Sequence, residues 1–152
     1  VLDGFGGTTT GFADVILAGV DNIYLGGGSY DNNVNWSAGF VPGLGDSVLI
    51  DSTGTTVTVS TLGNQLGLLE LDNSATFHIG FTGTSTTTTF TVDNLVMGPG
   101  TQIGVNGGFS LLEVTGNARL DTTSFFTRSG LSGFANGIVE FSGAGANINL
   151  PR

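Results

Sequence analysis

Asn35 to Asp51 reads NWSAGFVPGLGDSVLID, and its last four residues are a unit that the rest of the chain repeats. Pro42-Gly43-Leu44-Gly45 is built from residues that punctuate the backbone, and Val48-Leu49-Ile50-Asp51 is a short apolar run closed by a turn-forming carboxylate. The order is therefore loop, turn, strand. Trp36, the sole tryptophan, stands just ahead of this first strand. Its large apolar area suits it to close the open end of a core, with Pro42 turning the chain in beside it.

The apolar, any, apolar, Asp/Thr/Ser pattern returns as Leu69-Glu70-Leu71-Asp72, Phe90-Thr91-Val92-Asp93, Leu112-Glu113-Val114-Thr115 and Val139-Glu140-Phe141-Ser142. The copies start at 48, 69, 90, 112 and 139, so the steps are 21, 21, 22 and 27 residues. Between them lie further alternating pairs, Val57/Val59, Phe77/Ile79, Ile103/Val105, Ala118/Leu120 and Ile148/Leu150. Short strands recurring at a fixed step, with a corner residue after each copy, describe the turns of a solenoid, in which one coil buries its apolar face only against the next. A sandwich of hairpins would also alternate, but has no reason to keep that step. The expectation is an all-β, single-stranded parallel β-solenoid (β-helix) of about five coils over residues 35–152, preceded by an N-terminal extension, residues 1–34. The longer last step places a loop at Asp121 to Gly137.

Composition agrees with an all-β chain and excludes several functions. The 152 residues include 27 glycines and no cysteine, and three Lys+Arg face twelve Asp+Glu for a net charge of -9. No disulfide framework or thiolate site exists, and nucleic acid and anionic membrane surfaces, which need basic patches, are not expected partners. No apolar run approaches the ~20 residues of a membrane span, so membrane insertion is not expected either. No signal peptide is recognisable, which suits a mature secreted chain or an excised segment.

Within residues 1–34, short strands are expected at Val15 to Ala18 and Ile23 to Leu25, ahead of the break Gly26-Gly27-Gly28. The region from Thr8 to Leu25, with Thr8, Thr9, Thr10, Phe12, Val15 and Leu17, could act as an arm that adds a strand to another copy. At the other end Ile148 and Leu150 lie in an apolar strand with no polar cap, a surface another copy could cover.

Candidate sites are few. Asp51, Asp72 and Asp93 share a repeat phase and would stack on one corner. Corner-turning is the plain reading and calcium the sharper one; Thr115 and Ser142 at the same phase favour the former, and no cofactor is expected. Glu70, Glu113 and Glu140 share the outward middle position of the repeat, where paired carboxylates could hydrolyse glycosidic bonds. No aromatic platform accompanies them on that strand, and His78 has no Ser or Thr elbow beside it, so the chain is not expected to be an enzyme. Phe125, Phe126, Arg128 and Phe134 in the 121–137 loop form the densest aromatic cluster and are the candidates for a glycan ligand. Asn35-Trp36-Ser37 fits the N-glycosylation acceptor pattern, and Thr84 to Thr91 is a hydroxyl-rich corner and strand entry.

IYLGGGSYDNNVNWSAGFVPGLGDSVLID, residues 23–51, followed by TVTVS, resembles bacterial cell-surface and secreted β-helix proteins of the autotransporter-passenger and extracellular-matrix adhesin kind. The specific part of the likeness is Asn35 to Ile50. It implies right-handed parallel coils and an extracellular structural protein, often adhesive, with no shared catalytic residues. The leading expectation is thus a subunit or tandem module of a surface filament, biofilm matrix or adhesin. The alternatives are a carbohydrate-binding or polysaccharide-degrading β-helix and a trimeric viral tail-fibre or spike coil.

Overall fold

A computed structural model of the protein describes residues 19–60, 64–80, 88–106, 110–129, 138–141 and 148–149. Among these described residues twelve strands follow one another: β1 (Asn22–Ile23), β2 (Ser47–Asp51), β3 (Thr56–Val59), β4 (Asn64–Asp72), β5 (Thr76–Ile79), β6 (Thr88–Met97), β7 (Gln102–Asn106), β8 (Ser110–Val114), β9 (Ala118–Leu120), β10 (Phe125–Ser129), β11 (Ile138–Phe141) and β12 (Ile148–Asn149). Every pair among them is parallel. The result is a β-solenoid of about four turns, slightly fewer than the five expected from the repeat.

Each full coil has three arms. The first (start of β4, start of β6, β8, β11) and the second (β2, end of β4, end of β6, β9, β12) belong to one bent sheet. The third arm is a separate four-stranded sheet in the order β10-β7-β5-β3. Inward residues stack in columns. Val48, Leu69, Leu95 and Ala118 form one column of the second arm, while Leu66, Val92 and Val114 align in the first, and Val57, Phe77, Ile103 and Phe126 in the third. All of these are buried, apart from the partly buried Phe126 packed against them. Burial of such side chains at about 25 cal/mol per Å² of apolar area is the main term holding the coils together.

The register corrects the repeat. Val48 does align with Leu69, but Leu69 aligns with Leu95 and not with Phe90. Phe90 stands over Asn64 and under Leu112, in the first arm. Two arms of each coil carry the same apolar, any, apolar signature, and the sequence pattern joined copies from both. Ala118/Leu120 and Ile148 are likewise second-arm residues, the successors of Val48/Ile50.

Where the first arm bends into the second, the chain passes close to its neighbour. A Cβ on Gly67 would lie 2.5 Å from the carbonyl oxygen of Gly45, so only glycine fits that bend.

Part of the expected 121–137 loop is strand: β10 occupies Phe125–Ser129 and continues the third arm, pairing Phe126 with Ile103, while residues 130–137 lie outside the described residues. The expected strand at Val15–Ala18, the arm residues Thr8, Thr9, Thr10, Phe12, Val15 and Leu17, and Phe134 and Leu150 lie outside the described residues, as do the first residues of the Thr84 to Thr91 stretch.

Residues 22–36 form the first layer of the solenoid. Asn22 and Ile23 pair with Val48 and Leu49, and Ser29 bridges to Thr58 on the third arm. Gly26, Gly27 and Gly28, all at positive φ, make the corner between these two contacts. The part of the expected assembly arm from Asn22 onward is therefore engaged with its own chain.

Candidate functional site

Two regions carry polar or aromatic arrangements beyond what a column of Val and Leu requires: the sealed end, and the outer side of the second arm.

At the sealed end, Trp36 is buried with its indole N–H donating to the Tyr30 carbonyl at 2.7 Å. The Trp36 ring meets Tyr24 and Tyr30 edge-on, with centroids 5.2 and 5.0 Å away. Tyr30 in turn meets Phe77 and Phe90, which touch each other, so an edge-to-face aromatic chain runs from the lid into the coils. Such pairs add about 0.5–1.5 kcal/mol each beyond area burial. The Tyr30 hydroxyl donates to the carbonyl of buried Pro42 at 3.0 Å. Burial, with Asp31 and Asp46 nearby, raises the pKa of Tyr30 far above its ordinary value and keeps it a neutral donor.

Two asparagines complete this layer. Buried Asn22 donates to the Phe40 carbonyl and accepts from the Ala38 N–H and the Ser37 hydroxyl. Asn35 is 6% exposed, and its amide nitrogen donates to the Ser29 carbonyl at 2.8 Å. A glycan has no room on that buried nitrogen, which packs against Gly27, so the folded state disfavours the acceptor reading of Asn35-Trp36-Ser37.

The carboxylates divide differently from the expectation. Asp51 and Asp72 are in register at a corner, but Asp93 lies in another column, at the bend between the first and second arms. The Asp51–Asp72–Asp93 stack therefore does not exist. Gly98, whose N–H donates to Leu71, takes the position after Asp72, and Asp121, whose N–H donates to Met97, comes next. At this corner Asp72 accepts from the Asn73 N–H at 2.8 Å, and the Asn73 amide donates to Asp51. Asn73 and Ser74 adopt φ of 50° and 60°, a left-handed turn that asparagine tolerates well and serine less so. Asp121 accepts from the N–H and hydroxyl of Thr123, which hold its carboxyl below its ordinary pKa. Asp93 accepts from the Thr115 hydroxyl at 2.8 Å. No group of three or more His, Asp or Glu is placed to share a metal ion among the described residues.

Glu70 does not share a column with Glu113 and Glu140. Those two are in register in the first arm, where the Thr91 hydroxyl donates to Glu113 at 3.3 Å. Glu70 stands in the second arm, in the outward column Ile23, Leu49, Glu70, Val96, Arg119. It is 4% exposed, and its Oε2 is buried without a hydrogen-bond partner. Burial, then the charges of Asp72 and Asp51, push its carboxyl up to about 7. Alternation alone assigns Glu70 to solvent. The signal that could have found it is the nearly unbroken apolar run around it, Leu68-Leu69-Glu70-Leu71, the mark of a parallel strand buried on both faces.

The third arm shows the opposite pattern. Its outward residues Thr56, Thr58, Thr76, His78 and Gln102 alternate with the core, and burial pushes the pKa of His78 below its ordinary value. Phe125 follows Gln102 outward and is 47% exposed, whereas Phe126 faces the core. The two phenylalanines thus point to opposite sides of the sheet and form no common cluster. Arg128 is in backbone register with Val105.

Comparison with family models, with curated proteins and with solved structures finds no match.

Proposed function

We propose that the chain is an extracellular structural module, a short rod within a surface filament, matrix or adhesin, extended by end-to-end contact. The observation that supports this reading is the pair of ladder ends. Among the described residues β1 at one end, beside the Trp36–Tyr30 layer, and β11 and β12 at the other each pair on one side only. A parallel ladder with a free side is a template for further strands. Size-exclusion chromatography with light scattering and negative-stain microscopy test it. Concentration-dependent axial oligomers are expected, and a monomer that stays monodisperse at high concentration overturns the reading.

A second reading, binding of a neutral glycan, is favoured by one surface. The outward side of the third arm sets Phe125 beside Gln102 and near Thr76 and His78, with no Asp, Glu or Arg among these positions. A glycan array with Phe125→Ala as control tests it. Binding by the parent chain that is lost in the variant supports this reading; absence of binding removes it. Phe126 is unsuitable as a control because it packs against the core.

A further inference from the structure

The edge of β1 that faces away from β2 pairs with no further strand, yet it is already in use. The Ile23 N–H donates to the Ser37 hydroxyl at 2.8 Å, and the Ile23 carbonyl accepts from the Ser37 N–H at 2.9 Å. The Leu25 N–H donates to the Asn35 carbonyl at 2.7 Å, and Tyr24 and Trp36 form an antiparallel bridge between these contacts. Residues 35–37 thus run back over β1 as a short antiparallel cap, and a strand arriving from outside finds these backbone groups taken. What this end offers instead is side chains. Of the six large apolar side chains exposed among the described residues, five lie between Ile23 and Leu44: Ile23, Leu25, Val34, Phe40 and Leu44, exposed by 43% to 80%. Charge is nearly missing from the same stretch. In a chain of net charge -9, residues 22–44 hold one charged side chain, Asp31, and its carboxylate is turned to Ser60, accepting from the N–H at 2.7 Å and from the hydroxyl. Two copies of so acidic a chain repel each other, but at this end they can meet without opposing carboxylates.

We propose that this capped end docks against the same end of a second copy, as a two-fold, head-to-head dimer. The inference rests on the end-to-end contact proposed above and says which ends meet. The β11/β12 end is a poor match for the cap, because its unpaired side among the described residues needs backbone partners, and those of Ile23 and Leu25 are engaged. A second capped end matches in kind, apolar against apolar and free of charge. A specific interface needs about 1,000 Å² in total, which a two-fold contact divides into about 500 Å² on each copy. Five side chains of this size, the least exposed at 43%, supply an area of that order.

Analytical ultracentrifugation of the full chain, with Leu25→Asp and Val34→Asp as variants and Thr122→Asp as control, reads the contact. Leu25 and Val34 are 64% and 71% exposed, and Thr122 is exposed at the corner between β9 and β10, so all three should fold as the parent does. A parent dimer is expected that tightens with added salt, which screens the repulsion between two acidic bodies. Each Asp at the cap should weaken it by on the order of a hundredfold, because a carboxylate buried at the contact finds no cation there. Thr122→Asp should leave it unchanged. Spin labels on Thr53→Cys and Thr122→Cys, in a chain with no other cysteine, then identify the ends. The two sites follow β2 and β9 on the same corner of the rod, three ladder steps apart, roughly 14 Å at ~4.8 Å each. Head-to-head contact makes the distance between two Thr122 labels longer than that between two Thr53 labels by roughly 29 Å, twice that separation, whereas head-to-tail contact makes them equal. Equal distances, a shorter one at Thr122, or axial oligomers indifferent to Leu25→Asp and Val34→Asp overturn the inference and leave the end-to-end reading standing. A parent that stays monomeric overturns both.

Discussion

The Tyr30 hydroxyl reaches the Pro42 carbonyl at 3.0 Å while the Tyr30 ring lies edge-on to Trp36, so one side chain ties the lid to the turn that feeds the first coil. Tyr30→Phe keeps the ring contacts and leaves the Pro42 carbonyl without its donor. The expected loss is about 1–3 kcal/mol in urea unfolding, the usual penalty for an unsatisfied buried acceptor.

Trp36→Ala removes the lid itself. Trp36 is 1% exposed and touches two tyrosines, so a cavity opens at the sealed end. The expected cost is about 3–5 kcal/mol. Thermal unfolding monitored by far-ultraviolet circular dichroism, which reads the coils and not the lid, should report it, because loss of the first layer exposes the coil beneath.

Glu70 sets the sign of the pH dependence. Its carboxyl titrates at about 7 in the fold against an ordinary 4.5, so between these values the folded state holds more proton than the unfolded one. Stability from this residue therefore falls as pH rises from about 4.5 through about 7 and is level on either side. Glu70→Gln should remove that slope and stabilise the protein at pH 8 by up to about 3 kcal/mol, following the 1.36 kcal/mol per pKa unit. Chemical denaturation of parent and variant at pH 4 and pH 8 checks it, and the two should differ little at pH 4.

Gly67→Ala tests the close approach at the bend. The added methyl would meet the Gly45 carbonyl oxygen at 2.5 Å, backbone against side chain, so the second coil must shift away from the first. A loss of about 1–3 kcal/mol is expected, as for other overpacked sites. Gly43→Ala, where nothing lies within 4 Å, is the matched control and should be nearly neutral.

Much of this architecture was legible because solenoid columns write themselves into the sequence. The third arm, with Val57/Val59, Phe77/Ile79 and Ile103/Val105, follows from alternation alone, and Trp36 follows from its position before the first strand. The phase error between Leu69 and Phe90 arose because Leu69-Glu70-Leu71-Asp72 and Phe90-Thr91-Val92-Asp93 look alike while occupying different arms. Chemistry at a corner and at a bend is similar, since both need a side chain that bonds nearby backbone or hydroxyl groups. Phe125 and Phe126 read as a loop cluster because alternation cannot be judged from two adjacent identical residues. Glu70 is illegible for another reason: local alternation says which side of a strand a residue takes, not how buried that side is.

The sealed end also bears on the order in which the protein folds. Asn22 and Ile23 pair with β2, β2 with β4, and β4 with β6, so each coil docks on the coil made just before it. Ladder partners are thus about one coil apart in sequence throughout. A chain leaving a ribosome or a secretion channel N-terminus first would have the Trp36–Tyr30 layer and β2 in hand before the later coils emerge. Folding can then advance as a zipper with a fixed starting point, and each added coil meets a ready surface instead of waiting for a distant one.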